Sequence, residues 1–114
     1  MSLTIWHNPR CSKSRQTLAL LEENGHVPSI RRYLDDAPSD AELRAAAAAL
    51  GLRPVDMIRT NEADFKAQGL SRTSDDDTLF AAMARTPKLI ERPIVFLDDK
   101  AAIGRPPEAV LDIL

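Results

Sequence analysis

The apolar pattern of this chain predicts an α/β fold on a mixed four-stranded sheet, and three observations carry that prediction. A short strand pattern near the N-terminus runs through a turn into a helix and on to a second strand pattern, the order of a right-handed βαβ unit with parallel strands. A continuous apolar run, Ile94-Val95-Phe96-Leu97, lies near the C-terminus and is followed at once by a second short apolar stretch, the mark of a hairpin. Between these halves, from Ser39 to about Lys88, the spacing is helical.

Each element has its own justification. Leu3-Thr4-Ile5-Trp6 alternates and carries β-branched and aromatic residues, so it reads as the first strand, ended by Pro9. Ser12 to Asn24 reads as a helix with Thr17, Leu18 and Leu21 inward, and Gly25 stops it. Ser29 to Tyr33 is the second strand. Ser39 caps the next helix, with Glu42 three residues on completing a capping box. Leu43, Ala46, Ala47 and Leu50 give it an inner face, and Gly51 ends it. Pro54 to Ile58 suits a short helical turn, Asn61 to Gly69 a partly helical stretch, and Asp75 to Arg85 a helix burying Leu79, Phe80 and Met83. Ile94–Leu97 is the central third strand, Asp98-Asp99-Lys100 a tight turn, and Ala101-Ala102-Ile103 the returning strand. Pro106 and Pro107 open a last helix, whose apolar face is Val110, Leu111 and Leu114. The whole, β-α-β, helical insert, β-β-α, is a thioredoxin-like arrangement: one domain over residues 1–114, with a helical insertion at about 39–88 between strands two and three.

Composition narrows the function. A formal charge of −2 argues against general nucleic-acid binding, which wants a basic face. No apolar run approaches the roughly 20 residues of a membrane span. With no signal-peptide pattern at the N-terminus, the expectation is a cytoplasmic protein. A single cysteine rules out an internal disulfide and a multi-cysteine zinc site, so any redox cycle must borrow its second thiol from another molecule.

That cysteine, Cys11, sits between the first strand and the first helix in His7-Asn8-Pro9-Arg10-Cys11-Ser12-Lys13-Ser14-Arg15. Free cysteines are commonly small buried hydrophobes. The neighbours here are polar or cationic instead, and a helix N-terminus favours the thiolate, so a reactive cysteine aimed at an anion is the better reading. His7 either supplies a nearby cation that depresses the thiol pKa or is a strand-end histidine held by backbone. Ser14 either donates its hydroxyl to the sulfur or satisfies a first-turn N–H. Cys11-x-x-Ser14 has the spacing of a redox Cys-x-x-Cys without the resolving sulfur. A phosphatase loop would need arginine where Thr17 stands. Arg59, Arg92 and Arg105 are candidates to bind an oxyanion, the last two beside prolines at element edges, and a cis peptide at Arg92–Pro93 would suit this sheet. Arg31, Arg32, Asp35 and Asp36 read as surface charge, Asp75-Asp76-Asp77 as helix-start acids rather than a metal site, and His26 as a loop residue.

At these residues the chain resembles the glutaredoxin-linked, glutathione-dependent arsenate reductases. The matching pieces are the His7–Arg15 stretch with its helix, Met57-Ile58-Arg59-Thr60-Asn61, Glu91-Arg92-Pro93-Ile94-Val95, and Ile103-Gly104-Arg105-Pro106-Pro107-Glu108 to the end, in order over essentially the full length. Plasmid-type members have glycine and threonine directly after the cysteine. Ser12 and Lys13 here are similar to a chromosomal-type branch. The resemblance implies a thioredoxin-like fold with a helical insertion, Cys11 as nucleophile, His7 and Ser14 supporting the thiolate, and Arg59, Arg92 and Arg105 holding the oxyanion. It further implies that arsenate is reduced to arsenite with glutathione as co-substrate and glutaredoxin as partner, with no metal and no bound organic cofactor. Two other readings share the fold: a regulator that binds RNA polymerase, which usually keeps a Cys-x-x-Cys switch that Ser14 lacks, and a general glutathione-dependent thiol oxidoreductase.

Overall fold

The computed structural model describes residues 2–114. The chain divides into two compact units, residues 1–36 with 92–114 and residues 37–91.

The first unit holds the sheet. Strands β1 (Leu3–Trp6), β2 (Ser29–Arg31), β3 (Ile94–Leu97) and β4 (Lys100–Ile103) lie in the order β2-β1-β3-β4. β1 runs parallel to β2 and antiparallel to β3, with Ile5 opposite Ile30 on one side and Val95 on the other. β3 and β4 form an antiparallel hairpin in which Leu97 faces Lys100, so the turn is the pair Asp98-Asp99. This is the mixed thioredoxin-like sheet that the pattern predicts. β2 is shorter than expected, ending at Arg31. Helix α1 (Ser12–Glu23) covers the sheet, and Ile5, Leu21, Val95 and Val110 form a fully buried core joined by Leu3, Leu18, Ala102 and Ile113. Burying such side chains contributes about 1.5–3 kcal/mol each.

The C-terminal segment departs from expectation. Pro107–Ile113 is a 3-10 helix, not an α-helix. Its inward residues are Pro107, Val110 and Ile113, three apart, which a 3-10 turn stacks on one line. Leu111 and Leu114, expected on the inner face, are exposed. Among the described residues, no helix is long and apolar enough to cross a membrane.

The second unit contains α2 (Asp40–Leu50), α3 (Ala63–Ala67), α4 (Asp76–Arg85) and two short 3-10 turns at Pro54–Asp56 and Pro87–Leu89. The capping box at Ser39 is present, with Glu42 N–H donating to Ser39 Oγ at 3.1 Å and Ser39 N–H to Glu42 Oε1 at 3.0 Å. Gly51 ends α2 at φ 68°, the left-handed geometry that glycine adopts without steric cost. α2 packs on α4 through Leu43, Ala46, Ala47, Leu79, Phe80 and Met83, all buried. A lone bridge pairs Ile58 with Ile90.

Candidate active site

The loop between β1 and α1 is built by its own side chains. Asn8-Pro9 opens a turn: Asn8 Oδ1 accepts from Arg10 N–H at 3.0 Å and Asn8 C=O accepts from Cys11 N–H at 3.0 Å. Arg15 reaches back to Pro9 C=O at 2.9 Å. Cys11 is thereby delivered as the N-cap of α1, with extended backbone angles, φ −91° and ψ 124°. Its side chain is half-buried.

Three groups expected at the site meet there. Arg105 Nη2 lies 3.6 Å from Cys11 Sγ. Arg105 Nε donates to the Arg92 backbone oxygen at 2.7 Å, tying the two arginine segments together. The peptides Arg92–Pro93 and Arg105–Pro106 are both cis; the sequence pointed only to the first.

The electrostatics favour a thiolate. Burial pushes the Cys11 thiol up, but the N–H dipoles of Ser14 and Lys13 and the guanidinium groups of Arg92 and Arg105 outweigh it, so its pKa lies below that of an ordinary cysteine. The Cys11 side chain makes no capping hydrogen bond to the first turn of α1. The first-turn N–H groups therefore act mainly on the anion, as a helix N-terminus does.

The His7 and Ser14 side chains bind each other, a pairing neither option named, and His7 is also held at the strand end by its N–H donating to Arg31 C=O at 2.8 Å. Ser14 is fully buried, and its Oγ lies 2.6 Å from His7 Nδ1 while accepting from Asn8 N–H at 3.0 Å. With Asn8 N–H donating in, the Ser14 hydroxyl proton is available to His7, which fits an imidazole protonated on Nε2. The His7 pKa is lowered, first by burial and then by the Arg32 and Arg15 cations. The imidazole is thus neutral at pH 7, and the charge beside the sulfur comes from arginine. The hydroxyl of Ser14 serves the loop, and its backbone N–H serves the sulfur.

Arg59 belongs to the second unit. Its backbone N–H donates to Leu89 C=O at 2.7 Å, and its guanidinium pairs with Glu62 at 3.1 Å and with Lys88 C=O at 3.2 Å. Beside the cysteine loop, an open cleft is lined by His7, Pro9, Arg10, Arg32, Leu34 and Asp35. Among the described residues, no group of three or more His, Cys, Asp and Glu is placed to hold a metal ion.

Two features escaped sequence reasoning. One is the pairing of residues 7 and 14, for which Asn8-Pro9 was a signal, since a turn there brings the strand end back over the first helical turn. The other is the close packing at Gly104, where a Cβ would lie 2.5 Å from Thr17 Oγ1. A buried glycine carries no such signal in its neighbours.

The chain is 49% identical over 116 residues to an arsenate reductase of Haemophilus influenzae, with all of both chains covered. It is 44% identical over 114 residues to an arsenate reductase of Neisseria meningitidis serogroup A, covering 98% of this chain and 97% of that one. A solved arsenate reductase from Vibrio cholerae superposes with a TM-score of 0.95 at 52% identity, over 100% of this chain and 98% of that one. The model of the ArsC family matches residues 6–113, and the chain belongs to that family.

Proposed function

We propose that this chain is a cytoplasmic arsenate reductase, one thioredoxin-like domain with a helical insertion, in which Cys11 is the nucleophile. The observation that carries this reading is the Cys11 sulfur at a helix N-terminus, 3.6 Å from the Arg105 guanidinium. A reducing compartment suits a lone reactive thiol.

The Cys11 thiolate attacks the arsenic of arsenate. An As–S bond forms, an arsenic oxygen leaves as water after protonation, and arsenic remains pentavalent. Glutathione supplies the second thiol, because this chain has one cysteine. Attack by glutathione on the Cys11 sulfur forms the S–S bond of a mixed disulfide, and the electron pair of the As–S bond passes to arsenic, which leaves as trivalent arsenite. Glutaredoxin then reduces the mixed disulfide and returns Cys11 to its thiolate.

Arg92 and Arg105 stabilise the thiolate and neutralise the oxyanion as charge builds in the transition state. Arg59 takes the third oxyanion-binding role on the strength of the sequence resemblance alone. His7 and Ser14 are positioning residues that hold the loop, Ser14 also through its N–H dipole.

The test is NADPH oxidation coupled through glutathione and glutaredoxin, with arsenate, phosphate and a small disulfide compared side by side. Arsenate alone should give turnover above that of glutathione and glutaredoxin without this chain, which reduce a small disulfide unaided, and Cys11→Ser should abolish that excess while leaving the fold intact. An excess with Cys11→Ser near the wild-type rate, or an excess on the disulfide with none on arsenate, would overturn the assignment.

A further inference from the structure

Gly104 is buried at the end of β4, and its N–H donates to Pro93 C=O at 2.9 Å. Its φ is not positive, unlike those of Gly25, Gly51 and Gly69, so backbone conformation is not what calls for glycine here. Space is. A Cβ at this position would lie 2.5 Å from Thr17 Oγ1, 2.8 Å from Pro93 Cγ and 3.1 Å from Thr17 Cγ2. Ordinary contact begins at 3.4 Å, so relief of the closest contact alone needs a retreat of about 0.9 Å.

Neither wall gives way easily. Thr17 is fully buried in α1 and its hydroxyl donates to Lys13 C=O at 2.8 Å. Pro93 is buried at the start of β3. The neighbour of Gly104 is Arg105, which spans from Arg92 C=O to Cys11 Sγ. Cys11 caps the same helix that carries Thr17. A change in the spacing between Gly104 and α1 therefore becomes a change in the spacing between Arg105 and the sulfur.

We propose that Gly104, closed against Thr17, is a positioning residue that sets the reach of Arg105 to Cys11. The proposal rests on the reading of Cys11 as a working thiolate. The groups facing that sulfur are the guanidiniums of Arg92 and Arg105 and the N–H groups of Ser14 and Lys13. Of these four groups, Arg105 is the one whose residue is bonded to Gly104.

The experiment is the pH profile of Cys11 alkylation by iodoacetamide, measured without arsenate. Gly104→Ala should move the profile to higher pH and slow alkylation at pH 7 by about two- to five-fold, the weakening of a 3.6 Å charge contact by roughly 1 Å at an effective dielectric of about 40 to 20. In an Arg105→Ala background the same substitution should add nothing. Thr17→Ala removes the closest contact and leaves Pro93 Cγ at 2.8 Å, so it should return the Gly104→Ala profile part of the way to wild type. If Gly104→Ala alone fails to fold, the double variant is compared with Thr17→Ala instead, and its profile should lie at the higher pH of the two because the Pro93 contact remains.

A wild-type profile for Gly104→Ala, an equal shift with Arg105 absent, or no return on adding Thr17→Ala would each overturn the proposal. Lack of arsenate turnover by the wild-type protein with this cycle intact would instead remove the proposed function and leave the positioning role standing.

Discussion

Replacing Ser14 by alanine should destabilise the protein through two losses at once. The Ser14 hydroxyl is fully buried, 2.6 Å from His7 Nδ1 and 3.0 Å from the Asn8 N–H. Without it the imidazole nitrogen, in a residue only 7% exposed, loses its partner, at a cost of about 1–3 kcal/mol. The Asn8 N–H is part-buried and can recover some hydration, which places its cost near 1 kcal/mol. The sum, about 2–4 kcal/mol, is a large share of the roughly 5–15 kcal/mol that keeps a domain folded.

Urea denaturation at pH 7.5, where His7 is neutral, reads this as a lower midpoint at constant slope. A cycle with His7→Ala assigns the effect: the double variant should lose about 1–2 kcal/mol less than the sum of the singles, because the two side chains share one bond. The thiol profile of Ser14→Ala should stay close to wild type, since the Ser14 backbone N–H remains. A loss below about 0.5 kcal/mol, or strictly additive singles, would refute this account of the loop.

The lowered pKa of His7 makes stability depend on pH with a definite sign. The unfolded chain takes up a proton near 6.5 and the folded chain resists it, so stability falls as pH drops below 6.5 and levels off beneath the folded value. His7→Asn should flatten that slope between pH 7 and 5, as followed by urea midpoints, and an unchanged slope would place the titration elsewhere. Arg92→Ala and Arg105→Ala should each raise the pH at which Cys11 becomes alkylatable, because each removes a cation that favours the thiolate; profiles superposing on wild type would remove both from the thiol's environment.

Much of the fold could be read from local pattern. The strand at Leu3–Trp6, the buried run at Ile94–Leu97, the capping box at Ser39 and the glycine stop at Gly51 are each written in a few adjacent residues, and each stands where the pattern placed it. The structure departed from the local pattern at the C-terminal segment and added one pairing the pattern did not show. The C-terminal segment turns with a period of three, which lines up Pro107, Val110 and Ile113 on its inner side. Ser14 faced histidine rather than sulfur because the Asn8-Pro9 turn folds His7 over the first turn of α1.

By itself the chain's order of residues determined the βαβ start, the terminal hairpin, and a lone cysteine at a helix start with no second cysteine in the sequence. These follow from periodicity, caps and counting, all of which act over a few residues. The meeting of Cys11 with Arg105, 94 positions away, was decided by tertiary structure alone. So was the closeness of Gly104 to Thr17. Such contacts arise from how the sheet and α1 pack around a shared core, and no local pattern records the distance at which two packed elements come to rest.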